Sequence, residues 1–183
     1  MSNYRRVILP GATYFFTQVT YQRIPWLCSD ISRSTLRKGF QRLQKLYPFS
    51  LDAIVLLPDH LHCIWTLPDG DSNYAGRWRY LKNFVTRSCG HKLEIAAEIS
   101  LSRQKRQEKN LWQRRYWEHL ITDETDFNNH CNYIHYNPVK HGLCQSPKDW
   151  KFSSFHRFIK QGIYPEDWGA NEVPYIPENI SNE

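Results

Sequence analysis

Between residues 49 and 68 the chain reads FSLDAIVLLPDHLHCIWTLP, two apolar runs rich in β-branched and aromatic residues, broken once at Pro58 and Asp59. Runs of this kind suit strands, and Pro-Asp is turn chemistry, so the segment reads as two strands closed off by PDGD. An amphipathic helix lies on either side of it. SDISRSTLRKGFQRLQKLY opens on the cap-forming Ser29 and Asp30, repeats apolar residues at Ile31, Leu36, Phe40, Leu43 and Tyr47, and is ended by Pro48. Beyond the second strand, Trp78, Leu81, Val85 and Cys89 form one stripe, with Arg79, Lys82 and Arg87 largely off it. With ATYFFTQVTYQ (12–22) as a strand ahead of them, the order is strand, helix, strand, strand, helix.

The remainder extends this pattern. Residues 94–110 are polar and weakly patterned, a helix extension or a mobile insertion rather than a second domain. NLWQRRYWEHLI (110–121) supplies a further strand, and DETDFNNHCNYIHYN (123–137) a third helix capped by Asp123 and stopped by Pro138. The expected fold is therefore α+β: an antiparallel sheet with helices packed on one face. One domain spans 1–169, and 170–183 form a loose acidic tail.

Composition narrows the classes of function. The 24 Lys and Arg against 18 Asp and Glu leave a formal charge of +6, which favours a polyanionic partner, nucleic acid before membrane. Several of the aromatic residues interleave with Arg, as in RWRYLK and WQRRYW, offering phosphate-neutralising charge beside rings on which bases stack. Five cysteines without a C-x-x-C pair suggest neither a disulfide framework nor a zinc ribbon. No run has the length of a membrane span, and the expectation is a soluble cytoplasmic protein.

Successive strand side chains alternate between faces, so His60 and His62 emerge together, close enough to share one ion. Two strand histidines are a weak signal without a third ligand. In the third helix Phe127, Cys131 and Ile134 form a core stripe, and His130, Tyr133 and Asn137 a second stripe beside it. Packing on the apolar stripe would bring the polar one over the histidine-bearing strand. Two histidines, an amide and a phenol would then make one site. His130 is a candidate for assisting proton transfer there. His119, His135, His141 and His156 carry no assignment.

PDHLHCIW resembles the His-hydrophobic-His motif of the HUH single-strand endonucleases, and YIHYNPVKHGL resembles the tyrosine helix of their transposase branch. With YRR at 4–6, LWQRRYWEHLI, FSSFHR and GIYPEDW, the resemblance is closest to the REP-associated tyrosine transposases and covers roughly residues 4–169. It implies a ferredoxin-like or RRM-like domain. It further implies that His60, His62 and Asn137 hold a divalent metal, Mg²⁺ or Mn²⁺, with Tyr133 as nucleophile and Tyr136 as the rival phenol. The substrate implied is single-stranded or hairpin DNA carrying repeated extragenic palindromes, cut through a covalent 5′-phosphotyrosine and rejoined. A monomer is expected, a helix-exchanged dimer being the alternative.

That chemistry suits these residue types. An unaided phenol, with a pKa of about 10, is roughly one part in a thousand ionised at pH 7. A metal held by neutral ligands keeps its positive charge for phosphate oxygens. Candidates for DNA contact are Arg5, Arg6, Arg77, Arg79, Lys82, Arg114, Arg115 and Lys140, with Trp112 for stacking. Two other readings stay open: a catalytically idle hairpin-binding protein, and a zinc hydrolase in which the histidines activate water.

Overall fold

The computed structural model describes residues 7–93, 95, 100–105, 109–178 and 180. The elements run β1 (Thr13–Val19), α1 (Asp30–Leu46), β2 (Ser50–Leu56), β3 (His60–Thr66), α2 (Tyr74–Cys89), α3 (Leu101–Lys105), β4 (Trp117–Leu120), α4 (Glu124–Lys140) and α5 (Phe155–Lys160). The four strands form one sheet in the order β2-β3-β1-β4, every neighbouring pair antiparallel. β1 and β2 thus run the same way with β3 between them, and β3 and β4 with β1 between them, which is the split βαβ arrangement of a ferredoxin-like domain.

One face of the sheet packs as expected. Tyr14 and Phe16 of β1 and Leu61, Cys63 and Trp65 of β3 meet Leu36, Phe40 and Leu43 of α1 and Trp78, Leu81, Val85 and Cys89 of α2. Those helical residues are the stripes legible in the sequence.

The expectation of helices on one face needs correcting, because α4 and α5 cover the other. Phe15, Ala53, Val55 and Ile64 point there and form a second core with Cys131, Tyr133, Ile134, Phe155 and Phe158. The reason lies in β3, whose residues from His60 to Trp65 are all buried. A strand apolar on both sides requires cover on both sides.

Pro138 does not stop α4, which runs two residues past it. Its missing N–H costs one bond to the Ile134 carbonyl, and the turn beyond is held differently. Leu143 donates its amide to the Pro138 carbonyl and Gly142 donates to that of Val139, each at 2.9 Å, with Gly142 at φ 66°. That pairing is a Schellman motif, so glycine rather than proline ends the helix. Asn137 consequently lies within regular helix.

In the C-terminal tail residues 170–173 and 175 are exposed, whereas Ile180 is buried in the second core and Ile176 packs against it. Between 94 and 110, α3 is tied to the body by Arg103, which is buried, donates to the Lys109 and Trp112 carbonyls and stacks over Tyr21. Residues 94, 96–99 and 106–108 of the expected insertion lie outside the described residues. Among the described residues no helix is long and apolar enough to cross a membrane.

Candidate active site

The strand register sets the first two groups. His62 pairs with Thr17 across β1 and His60 with Val19, so both imidazoles project from the α4 face, their ring centroids 5.0 Å apart. Each is held through Nδ1: His62 by the Thr17 hydroxyl at 2.8 Å, His60 by Asp59 Oδ1 at 2.6 Å. With Nδ1 engaged on both rings, Nε2, buried in each, is the nitrogen that would ligate an ion. Burial works to raise the Asp59 carboxyl, but the hydrogen bond from His60 and the neighbouring Arg23 outweigh it and hold it below the usual carboxylate range. An ionised Asp59 orients the His60 ring.

α4 brings the other two groups. Its cap is Asp123, whose Oδ1 accepts the Asp126 amide at 2.8 Å, and its apolar stripe seats Cys131 and Ile134 in the second core. The Tyr133 ring then lies 5.1 Å from that of His62 and edge-on to Phe15, with Lys140 Nζ 4.9 Å from its centroid. Asn137, one turn on, is fully buried, and neither amide atom has a hydrogen-bond partner among the described residues. A buried amide left unmatched costs about 1–3 kcal/mol, which a bound cation would recover at Oδ1. Two imidazoles and an amide would make a neutral N,N,O donor set, of a kind that suits a divalent metal.

The rival phenol goes elsewhere: Tyr136 turns towards Trp168 and Gly169, with ring centroids 6.4 Å apart in the former case. The α4 face of the sheet thus holds the Tyr133 ring against the His60 and His62 pair, with Asn137 one helical turn along α4 from Tyr133.

No protein-family model matches the chain. A Haemophilus influenzae protein assigned to the REP-associated tyrosine transposases is 47% identical over 93% of this chain and 95% of its own length. The chain belongs to the REP-associated tyrosine transposases. The Escherichia coli REP-associated tyrosine transposase is 40% identical over 96% of this chain and 95% of that one. A solved structure of a REP-associated tyrosine transposase bound to a REP hairpin, also 40% identical, superposes with a TM-score of 0.79 over 96% of this chain and 95% of the other.

Within this transposase the candidate DNA-contacting residues divide. Arg79, Arg114, Arg115 and Lys140 are exposed, and Lys82 is half-buried, donating to the Gln113 and Arg114 carbonyls. Arg77 belongs to the fold instead. Its guanidinium, with 2% of the side chain exposed, pairs with Asp71 and donates to the Tyr47 and Pro48 carbonyls, so no face is left for phosphate. Trp112 is likewise core, edge-on to Trp26, and does not offer a stacking platform. Arg5 and Arg6 lie outside the described residues.

Several groups around the site carried no assignment in the sequence. Thr17 and Asp59 orient the two histidines, and the signal for Asp59 was its adjacency to His60; nothing local marks Thr17. His141, just past α4, stands with its ring 5.1 Å from His60. His135 is structural: burial pushes it down to about 3, and it bonds Ser154 and Tyr164 as a neutral ring. His130, a candidate for proton transfer, faces Asp126 and stacks on His119 instead, their centroids 4.6 Å apart.

Proposed function

We propose that this transposase is a metal-dependent single-strand DNA endonuclease and strand transferase that works through Tyr133 on palindromic hairpin DNA. The observation that carries the reading is Tyr133 of α4 set against the His60 and His62 pair of β3, with the buried, unmatched amide of Asn137 one helical turn on. The relative solved with a REP hairpin supports hairpin DNA as the substrate class.

Nε2 of His60 and of His62, whose Nδ1 atoms are engaged by Asp59 and Thr17, would hold the metal, and Asn137 Oδ1 would complete the set. The ion, Mg²⁺ or Mn²⁺, supplies Lewis-acid polarisation of the scissile phosphate. Tyr133 provides the nucleophile. Its oxygen, having lost its proton, attacks phosphorus; the bond to the 3′ oxygen breaks and that oxygen takes a proton. The products are a free 3′-OH and a 5′-phosphotyrosine, which conserves the bond for rejoining to another 3′-OH without a nucleotide triphosphate.

Lys140, exposed and with Nζ 4.9 Å from the Tyr133 ring centroid, is placed to meet the incoming phosphate. Tyr133 is only 1% exposed, so the side chains above it part when a strand enters. The reading takes a monomer acting on cytoplasmic DNA as the working form.

The test is a labelled single-stranded hairpin incubated with the protein and Mn²⁺ and resolved on a denaturing gel. A protein-linked fragment is expected from the wild type and none from Tyr133→Phe. Cleavage that survives Tyr133→Phe would instead point to metal-activated water as the nucleophile.

A further inference from the structure

A second constellation on the same sheet face is absorbed by neither the fold nor the proposed chemistry. His119 projects from β4, opposite Phe15 in the register, while Asp126 and His130 lie one turn apart near the start of α4. His119 Nε2 is 2.8 Å from Asp126 Oδ2, and His130 Nδ1 is 2.9 Å from Asp126 Oδ1. One donor atom from each of the three residues lies within 4.8 Å of the others.

We propose that His119, Asp126 and His130 form a second divalent-metal site, of the zinc class, that staples the edge strand β4 to the first turns of the helix carrying Tyr133 and Asn137.

The donor set is two imidazoles and a carboxylate, a combination that binds zinc through three protein ligands and leaves outer positions to water. His130 is 3% exposed; its Nδ1 also lies 2.8 Å from the Asp126 main-chain oxygen, and its Nε2 is buried without a hydrogen-bond partner among the described residues. An imidazole fixed by a carbonyl through one nitrogen, with a lone pair unmatched on the other, is the usual posture of a metal ligand.

Tetrahedral donors about 2.0 Å from zinc are about 3.3 Å apart, so donors now within 4.8 Å of one another must draw in by up to about 1.5 Å around an ion. The His119 side chain, 37% exposed, has room to tilt out of its stack on His130 and supply that movement. Water reaches the remaining positions from a cleft of about 280 Å³ bordered by Asp123, Asn129 and Pro177.

The site is separate from the His60 and His62 pair. One strand, β1, lies between them, and its Phe15 ring contacts both His62 and His130. Its role follows from placement: β4 is a four-residue edge strand paired on one side only, and a metal would fix it to the turn from which α4 departs. The proposal does not depend on Tyr133 being the nucleophile.

The experiment uses the full chain carrying His60→Ala and His62→Ala, so that the first site cannot contribute. Titration with Co²⁺ is expected to give one equivalent bound, with a visible ligand-field spectrum bleached by Zn²⁺, and Zn²⁺ is expected to raise the unfolding midpoint by several degrees. Adding His119→Ala, at a position exposed enough to spare the fold, should abolish both signals; adding Asp126→Asn should weaken binding at least tenfold. Absence of Co²⁺ binding in the His60→Ala, His62→Ala protein, or binding unaffected by His119→Ala, would overturn the proposal and leave a hydrogen-bonded Asp-His network only.

Discussion

The buried charge of Arg77 shows what a single residue contributes and what sequence conceals. Its partner Asp71 is held below the usual carboxylate range by hydrogen bonds from that guanidinium, against a smaller opposing effect of burial. A carboxylate depressed in the fold adds stability that is complete above its ordinary range and is lost as the pH falls through the lower, folded value. Asp71→Asn should therefore cost about 1–3 kcal/mol at pH 7, the lower part of the range reflecting the partial exposure of Asp71. In urea melts, the gap from wild type should begin to narrow below about pH 4, where the unfolded carboxyl protonates, and close only as the native one, held lower, is protonated too. At this scale the site was largely legible: alternation put His60 beside His62, and a four-residue step put Tyr133 beside Asn137. Arg77 was not, because its carbonyl acceptors are on Tyr47 and Pro48, some thirty residues away, and nothing local distinguishes it from Arg79.

Among the elements, α1 and α2 pack closely enough to depend on one missing side chain. A Cβ at Gly39 would stand 2.8 Å from Leu81 Cδ1 and 3.0 Å from Phe84 Cδ1. Gly39→Leu should accordingly lower stability by about 1–3 kcal/mol, read as a reduced denaturation midpoint at unchanged m-value, despite the better helix propensity of leucine. The helical stripes of α1 and α2 were visible because each faces one sheet surface. The second layer was less so, since HLHCIW offers no clean alternation and the histidines masked how apolar the α4 face is. Pro138 misled for a related reason: a proline near a helix end is a common stop, but here the Gly142 motif decides where the helix finishes.

For the whole molecule, the basic balance acquires a location. Arg114 and Arg115 are exposed on the segment leading into β4, and Arg114 borders a cleft of about 730 Å³ shared with Lys82, Arg87 and Lys109. Arg114→Ala with Arg115→Ala should weaken hairpin binding and flatten the plot of log affinity against log salt by about 0.7 per lost contact to single strand, with thermal stability unchanged. Net charge alone predicted a polyanion; only folding shows which cations remain on the surface after Arg77 and Arg103 are buried.

In the proposed reaction one phenol on α4 forms the bond to DNA. That step is tested most directly by digesting the protein-linked fragment formed with Mn²⁺ and mapping the modified peptide by mass spectrometry. The account predicts a nucleotide attached through the Tyr133 oxygen. Attachment at Tyr136, or free cleavage products without any adduct, would contradict it.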